Sequence, residues 1–465
     1  MVVTEDQSRI EDETVHFMNA LLNGRQDQNL EDTGSPFQPD YTYLEDFLSN
    51  LSQLSMASQD SLVEELSCEE VEEVLKTCKT GKAPGLDGLP YEFYRTTWRV
   101  IGAKFTKVLQ TQLDKERITE SSRHGATRLI SKVDGVPDVT ELRPITLLQV
   151  YYCLLSKCLA MRLKLVIEEV VDQKQLGTAS PGKGGGSILT GVYDILSSID
   201  YVNMQNRPAF LASYDNIKAY DRSSIVYLDK VTERMAFPQI FRSWLKMLHK
   251  DATTRLLLTS GLSREIPVSF SFRQGDNIAG DLYCLTQEPL LRMIKSRLVG
   301  LLFTNFFQKD TSYLDDIQIL SGDERDLVTF DIVMKRFELQ SGAMLSRDKK
   351  SRVMGLGGWQ DREIWPQKVS WLKTVDKMKV LGFIVCPKYS DTLACTWERV
   401  FRGFQKTLFA WEGRALVTLQ QRVNVLQTFA LSKFWYVAQV LPLPAQVLKK
   451  IKSASSSFIC ILWPS

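Results

Sequence analysis

The sequence contains no run of about 18 consecutive apolar residues, the length that a membrane-spanning helix requires. Its first residues, MVVTEDQSRIEDE, are acidic and lack the apolar stretch of a secretory signal peptide. The eight cysteines form no Cys-x-x-Cys pair, and the three histidines (His16, His124 and His249) lie far apart in the chain. We therefore expect no zinc site, and we expect reduced thiols in an intracellular protein without a membrane span.

The charge is distributed unevenly along the 465 residues. The first 70 residues contain 16 acidic and 2 basic side chains, a net charge of −14. The remaining residues contain 39 acidic and 55 basic side chains, a net charge of +16. A basic body of this size favours a polyanionic partner such as a nucleic acid, although Lys and Arg that merely keep a surface soluble would give the same count.

The order of apolar patterns predicts several subdomains, because the chain is too long for one core. Residues 1–23 read as a short helix, and residues 24–60, rich in Ser, Asp, Gln and Pro, as a partly disordered acidic and polar linker. Residues 175–187 read as a flexible loop. Strand-like and helical segments mix through the middle of the chain, and helical patterns dominate its last part, so we expect an α+β core with helical attachments.

Two adjacent acids, Asp315 and Asp316, interrupt the apolar stretch TSYLDDIQIL. Such a pair is usually a surface turn, whereas buried carboxylates need a positive partner. Asp215 ends another apolar strand about 100 residues earlier, although it could also cap a helix. If the two strands are neighbours, three carboxylates meet, and their repulsion is relieved by Mg²⁺, which prefers such oxygen ligands.

Eight other stretches lie before and after YLDD along the chain, and one of them contains Asp215. They are GKAPGLDGLPYEFY (81–94), LISK (129–132), LRPITLL (142–148), YDNIKAYDR (214–222), RQG followed by LYCLTQEPLL (273–291), SGAMLSRDKKS (341–351), KVLGFIV (379–385) and LQQRVNVLQTFALSKFWYVAQVLPLP (419–444). Together with YLDD they resemble the reverse transcriptases of LINE-type (non-long-terminal-repeat) retrotransposons. The resemblance extends from Ser67 to the C-terminus.

The resemblance implies a right-hand polymerase. Residues 61–207 would form the fingers and the region leading into them, and residues 208–376 a ferredoxin-like palm with an antiparallel sheet. Residues 377–465 would form the primer-grip strand and a helical thumb. The implied activity is RNA-directed DNA synthesis during retrotransposition. Its partners would be an RNA template, a DNA primer and deoxynucleoside triphosphates, and its location would be the nucleus, because the family acts on chromosomal DNA.

The resemblance also implies roles for single residues. Asp215, Asp315 and Asp316 would bind two Mg²⁺ ions, with Mn²⁺ as a possible substitute, and Lys349 would protonate the leaving pyrophosphate, with Lys350 in its place if the loop shifts. Other positions would hold the substrates: Lys132 and Arg143 at the triphosphate, Tyr220 as the gate against ribose, Gln274 and Gly275 in the nucleotide pocket, and Gly382 in the primer grip. Surface ion pairing remains the alternative for Lys132 and Arg143, and core packing for Tyr220.

The sequence also departs from the family pattern. Asp276 and Asn277 replace the usual Cys-Pro after Arg-Gln-Gly, which would put a negative charge beside the nucleotide pocket. The upstream endonuclease and downstream Cys/His cluster common in the family are missing from these 465 residues. The alternative is therefore a catalytically decayed remnant that still binds nucleic acid, or a gene product that is unstable or not expressed.

Overall fold

Helices and strands both contribute to the fold, so the predicted α+β class is confirmed. The computed structural model describes residues 6–27, 29–133, 135–172, 174–178, 188–303, 307–347, 350–412, 414 and 418–460. In these ranges no helix has the length and apolar character needed to cross a bilayer.

The α-helices in the described part of the chain are distributed unevenly: six precede the first strand, helices and strands then mix as far as residue 385, and only helices follow from Tyr389 onward. They are α1 (Gln7–Leu22), α2 (Leu44–Leu48), α3 (Met56–Leu62), α4 (Cys68–Thr77), α5 (Tyr91–Asp114), α6 (Glu120–Arg123), α7 (Val150–Val166), α8 (Ile188–Met204), α9 (Ile225–Arg234), α10 (Gln239–His249), α11 (Ala279–Arg297), α12 (Arg325–Ser341), α13 (Tyr389–Glu412), α14 (Leu419–Val425), α15 (Ser432–Ala438) and α16 (Ala445–Cys460). A π-helical stretch, Leu426–Leu431, joins α14 to α15.

The strands form two larger sheets and two short hairpins. They are β1 (His124–Ser131), β2 (Leu142–Leu147), β3 (Ala209–Asp215), β4 (Thr253–Leu258), β5 (Gly261–Leu262), β6 (Ile266–Pro267), β7 (Leu301–Leu302), β8 (Phe307–Gln308), β9 (Asp310–Tyr313), β10 (Asp316–Ser321), β11 (Arg352–Leu356), β12 (Lys373–Thr374), β13 (Met378–Val380) and β14 (Phe383–Val385). The amino-terminal sheet has the order β2-β1-β4-β5, with β6 also on β4, and the central sheet has the order β12-β11-β3-β10-β9. The stretch TTRLLLTSGLSREIPVSF predicts a β-hairpin that turns at Gly261 and Leu262. β4 does pair in antiparallel fashion with the segments that follow it, but Gly261 and Leu262 form β5 and the turn precedes them.

The three inner strands of the central sheet, β11, β3 and β10, are buried on both faces, which explains why apolar residues occupy both sides of each strand. Along β3, Phe210, Ala212 and Tyr214 belong to the largest hydrophobic core, whereas Ala209 and Leu211 belong to a second core on the opposite face. Side chains of successive strand residues point to opposite faces, so each of these three strands contributes to both cores. The largest core contains residues of α7, α11 and α12, and the second contains residues of α8 and α13.

The expected linker at 24–60 is wrong for the part that contains α2. Phe47 and Leu48 are buried in the largest core, and so is Leu54, whose amide donates a hydrogen bond to the carbonyl of Met235 at 2.9 Å. A few apolar residues spaced among polar ones are enough to dock the segment, although its average composition is typical of a linker. The helix expected in residues 1–23 occurs as α1, which packs against β4 and β6.

The stretch KVLGFIV forms a hairpin and not the single strand that was expected. β13 and β14 pair in antiparallel fashion with Val380 opposite Phe383, so that Leu381 and Gly382 form the turn. Both turn residues have positive φ, 46° and 89°. Such a two-residue turn with left-handed residues matches the twist of antiparallel strands, and glycine at the second position reduces its strain.

Candidate active site

The pairing of β3 with β10 places two of the three predicted acids side by side. The strands are antiparallel, and Asp215, at the end of β3, is the register partner of Asp316, at the start of β10. On its other side β10 pairs with β9, with Asp316 opposite Tyr313. Leu314 and Asp315 therefore form a two-residue turn at the tip of the β9–β10 hairpin, which agrees with the turn that is usual for adjacent acids.

The surroundings of the acid pair make its negative charge unfavourable. Burial, followed by repulsion from Asp315 and Asp215, raises the pKa of Asp316 to about 6. Burial also raises the pKa of Asp315, with Asp215 adding repulsion and Lys350 opposing it. The three predicted carboxylates therefore lie close enough to repel one another, which is the electrostatic condition that a bound cation relieves.

Lys350 neutralises part of this charge. Its Nζ donates a hydrogen bond to Asp215 Oδ2 at 2.7 Å. The preceding segment is fixed to the end of β3, because the amide of Ser346 donates to the carbonyl of Asp215 at 2.9 Å. Lys349, the other predicted lysine, lies outside the described residues.

The described part of the chain contains no three His, Cys, Asp or Glu side chains gathered closely enough to enclose a metal ion. The three aspartates thus share one end of the central sheet without forming a preassembled metal cage. The ammonium group of Lys350 balances part of the negative charge of Asp215.

Lys132 and Arg143 lie near this cluster on the amino-terminal sheet. The two strands pair so that Ile130 is opposite Arg143, and the amide of Lys132 donates to the carbonyl of Glu141 at 3.0 Å. Partial burial, followed by repulsion from Lys350 and Arg143, lowers the pKa of Lys132. The structure thus brings Lys132 close to Arg143 and Lys350 and within electrostatic range of Asp215.

Asp221 is an important member of the site that sequence reasoning missed. It is 1% exposed, and burial raises its pKa to about 6, against the attraction of Lys218 and a hydrogen bond from Gln274. Gln274 Nε2 lies 3.0 Å from each of its carboxylate oxygens. The signal was present in YDNIKAYDR, where Asp221 directly follows the predicted gate residue Tyr220.

Tyr220 lies beside the acid pair and is half-buried. Its ring stacks on that of Tyr283, with centroids 4.9 Å apart. Burial raises the pKa of Tyr220, and neighbouring Cys284 and Asp315 add to the effect. The contact with Tyr283 covers one face of the Tyr220 ring. Core packing of this ring is therefore compatible with the predicted role of Tyr220 as a gate against ribose.

Gly275 allows a close approach of two backbones. Its φ is 119°, and a Cβ at this position would overlap the carbonyl oxygen of Thr146. The amide of Thr146 donates to the carbonyl of Gln274 at 2.7 Å, which fixes the RQG loop to β2. The close contact that requires glycine is therefore with β2.

The prediction that Asp276 puts a charge beside the nucleotide pocket is wrong. Its side chain is buried, accepts a hydrogen bond from Tyr152 Oη at 2.5 Å and one from the hydroxyl of Ser156, and lies 3.9 Å from Arg273 Nη2. Asn277 Nδ2 donates to the carbonyl of Cys153 at 3.1 Å. Both departures from the family pattern are thus accommodated by partners on α7, because buried polar groups are stable only when they are hydrogen-bonded.

Gly382 lies in the turn between β13 and β14. A Cβ at this position would lie 3.0 Å from Tyr436 Cε1 of α15, and Tyr436 Oη donates to the carbonyl of Leu381 at 2.7 Å. Arg399 of α13 donates to the carbonyl of Gly382. The turn is thus held by two of the carboxy-terminal helices.

Comparison with known proteins agrees with this geometry. Residues 130–385, more than half of the chain, match the family described as reverse transcriptase (RNA-dependent DNA polymerase). The chain is 26% identical over 440 residues to the transposon TX1 uncharacterized 149 kDa protein of Xenopus laevis, an alignment that covers 92% of this chain and 32% of that protein. The chain thus spans about a third of the length of this curated relative. It belongs to the reverse transcriptase (RNA-dependent DNA polymerase) family, which confirms the LINE-type resemblance of its motifs.

Proposed function

We propose that this chain extends the 3′ end of a DNA primer with deoxynucleotides while copying an RNA template, as a step in retrotransposition. The observation that carries the proposal is the antiparallel register of β3 and β10, which sets Asp215 opposite Asp316 next to the turn that contains Asp315. In this proposal the central sheet is the palm of a right-hand polymerase, the amino-terminal sheet belongs to the fingers, and α13–α16 form the thumb. By analogy with the family, the reaction takes place in the nucleus.

The donor set of this site fits Mg²⁺. Carboxylate oxygens are hard ligands, and the raised pKa values of Asp315 and Asp316 show that their negative charges need compensation. We propose that Asp215, Asp315 and Asp316 hold two Mg²⁺ ions, which Mn²⁺ could replace. These ions would lower the pKa of the primer hydroxyl and neutralise charge on the triphosphate.

Protein side chains around the acids have separate tasks. Lys132 and Arg143 bind the triphosphate, for which their clustered positive charge is suited. Tyr220, stacked on Tyr283, excludes a ribose 2′-hydroxyl, and Gln274 and Gly275 line the nucleotide pocket.

Three further residues act on the leaving pyrophosphate or on the primer end. Lys350, on Asp215, or Lys349 next to it, supplies the proton for the leaving pyrophosphate. The turn at Gly382 supports the primer end. Each of these roles is part of the proposal.

The alternative of a decayed remnant loses its main structural argument. It depended on Asp276 repelling the nucleotide, and that carboxylate is hydrogen-bonded within the core. The pairing of Asp215 with Asp316 and the contact of Gln274 with Asp221 support the polymerase proposal. We therefore favour the active enzyme.

Primer extension on an RNA template with deoxynucleotides and Mg²⁺ tests the proposal. The wild type is expected to extend the primer, and the isosteric double variant Asp315→Asn/Asp316→Asn is expected to lose this activity. Asp361→Asn, at an exposed turn, is the matched control and is expected to keep it. No extension by a folded wild-type protein, or equal extension by the double variant, would refute the proposal.

A further inference from the structure

The turn that carries the acid pair has an unfavourable backbone conformation. Leu314 has a φ of 54°, in the left-handed region that non-glycine residues rarely adopt. The ladder between β9 and β10 ends at the pair Tyr313 and Asp316, so the amide of Leu314 needs a hydrogen-bond partner outside the hairpin. Such a conformation persists only when the surrounding structure holds it.

Gln175 supplies that partner from a distant part of the chain. Its Oε1 accepts hydrogen bonds from the amide of Leu314 at 3.0 Å and from the amide of Gly177 at 3.2 Å. The side chain of Gln175 is 2% exposed, so neither bond competes with water. One buried oxygen thus links the turn to the segment Lys174–Thr178.

This segment is itself attached to the hairpin. Gln175 forms a parallel bridge with Ser312 of β9. The amide of Ser312 donates to the carbonyl of Lys174 at 3.2 Å, and the hydroxyl of Ser312 donates to the same carbonyl at 3.3 Å. The segment is therefore attached to the outer edge of β9. The prediction of a flexible loop at 175–187 is wrong for residues 175–178, which are ordered beside β9. Residues 179–187 lie outside the described chain.

Gly177 shows how closely the segment fits the turn. A Cβ at Gly177 would lie 2.6 Å from Leu314 Cδ2 and 3.2 Å from Cys284 Sγ. The side chain of Leu314 thus fills the space that a larger residue at 177 would need. Both the backbone amide and the side chain of Leu314 are constrained by residues 175–177.

We propose that Gln175 is a positioning residue for the polymerase reaction. Through the amide of Leu314 it fixes the turn, and thereby the direction in which Asp315 and Asp316 present their carboxylates. Gln175 itself touches neither substrate nor reacting atoms. The inference rests on the proposed function, since it assigns Gln175 to the same three-aspartate site.

Three variants separate positioning from general stability. Gln175→Met keeps the size of the side chain and removes the oxygen acceptor, whereas Gln175→Glu keeps an acceptor. Gln340→Met is the matched control, because Gln340 on α12 is 0% exposed and its amide atoms have no hydrogen-bond partner in the described structure. All three are compared with the wild type at matched folded fractions.

We expect Gln175→Met to lower kcat of primer extension about 10- to 100-fold and to raise the Mg²⁺ concentration needed for half-maximal rate, because the carboxylates lose their fixed geometry. The KM for deoxynucleotides should change by less than about threefold, since the nucleotide pocket is untouched. Gln175→Glu keeps the acceptor but adds an acid beside the acid pair, so it should restore kcat in part, and Gln340→Met should leave kcat unchanged. Wild-type kcat in Gln175→Met, or an equal loss in Gln340→Met, would overturn the proposal.

A second measurement does not depend on activity. Hydrogen exchange of the Leu314 amide is expected to become at least tenfold faster in Gln175→Met than in the wild type, and to stay unchanged in Gln340→Met. If the wild type does not extend primers, the polymerase proposal fails, and so does the positioning role of Gln175 in that reaction. Unchanged exchange in Gln175→Met would show instead that the hydrogen bond does not hold the turn.

Discussion

At the scale of single residues, the acid pair is held in protein surroundings that oppose its charge. The folded protein raises the pKa of Asp316 from its ordinary value near 3.8 to about 6. In such a case ionisation is less favourable in the folded than in the unfolded chain. Protonated Asp316 therefore makes its full contribution to the stability of the folded protein below about pH 4. This contribution is lost as the pH rises through about 6.

Replacing Asp316 by Asn should therefore stabilise the protein while removing activity. In the absence of divalent cations we expect the free energy of unfolding at pH 7.5 to increase by roughly 1–2 kcal/mol, after allowance for partial exposure. The gain should disappear towards pH 4, where Asp316 is protonated in the wild type. Thermal unfolding from pH 4 to pH 8, with Asp361→Asn as the control, measures this difference, and a gain that does not vary with pH would contradict the electrostatic explanation.

A second prediction at this scale concerns the contact between Asp221 and Gln274. Asp221→Asn offers one oxygen in place of two, so the Gln274 amide loses its fixed orientation. We expect the KM for deoxynucleotides to rise about tenfold, with a smaller change in kcat.

The matched control for this change is Asp326→Asn. Asp326 is a buried acid that accepts hydrogen bonds from the amides of Val299 and Gly300 and should affect stability alone. Steady-state kinetics of both variants provide the comparison. An equal KM in Asp221→Asn and wild type would show that Gln274 does not need this partner.

The ordered motifs of the family resemblance singled out Asp215, Asp315 and Asp316, which taken alone could have been a helix cap and a surface turn, and the structure brings them to one end of the central sheet. The surroundings of an acid within the fold could not be predicted in the same way. Asp276 and Asp221 are both acids next to a predicted pocket residue, yet one is held by α7 and the other holds Gln274. Only the packing of distant elements separates these two cases.

At the scale of elements, the RQG loop is fixed to β2 through Gly275. Gly275→Ala would strain a φ of 119° and also force a Cβ into the carbonyl oxygen of Thr146. Gly261 has a nearly identical φ of 123° with open space around it, so Gly261→Ala measures the conformational strain alone.

We expect Gly261→Ala to lower the free energy of unfolding by about 1 kcal/mol. The expected loss for Gly275→Ala is about 3 kcal/mol or more, together with loss of primer extension, since strain and steric overlap combine. Denaturant unfolding of both variants gives the comparison. Equal losses would show that the loop can move away from β2 without cost.

Strands with a clear apolar pattern could be predicted from the sequence. Strands whose ends are determined by a turn were harder to predict. β3, β10 and β4 follow apolar patterns visible in the sequence. KVLGFIV shows an unbroken strand pattern, yet Leu381 and Gly382 turn it back on itself. That turn is held by Tyr436 and Arg399 from helices that follow later in the chain, which the local pattern does not contain.

At the scale of the whole molecule, the acidic first part of the chain belongs to the folded body. Phe47 is 1% exposed within the largest core, whereas Phe93 on α5 is 41% exposed. Phe47→Ala should lower the free energy of unfolding by about 3–5 kcal/mol, and Phe93→Ala by much less, because only the first change leaves a cavity.

Urea unfolding and limited proteolysis measure the outcome. In the Phe47→Ala variant we expect cleavage within residues 43–60 at a lower protease concentration than in the wild type. Equal stability of the two variants would restore the interpretation of this segment as a linker. The sequence suggested a linker because composition averages over the few residues that dock.

The two-sided burial of the central sheet has a consequence for inactive conformers. A shift of β10 against β3 by one residue would turn every side chain of β10 to the opposite face, so both cores would lose their partners at once. The same shift would move Asp316 away from Asp215, because the two are register partners. A one-residue register error in this sheet therefore cannot leave a well-packed but inactive enzyme. For this error, the molecules with intact cores and the molecules with an aligned site should be the same population.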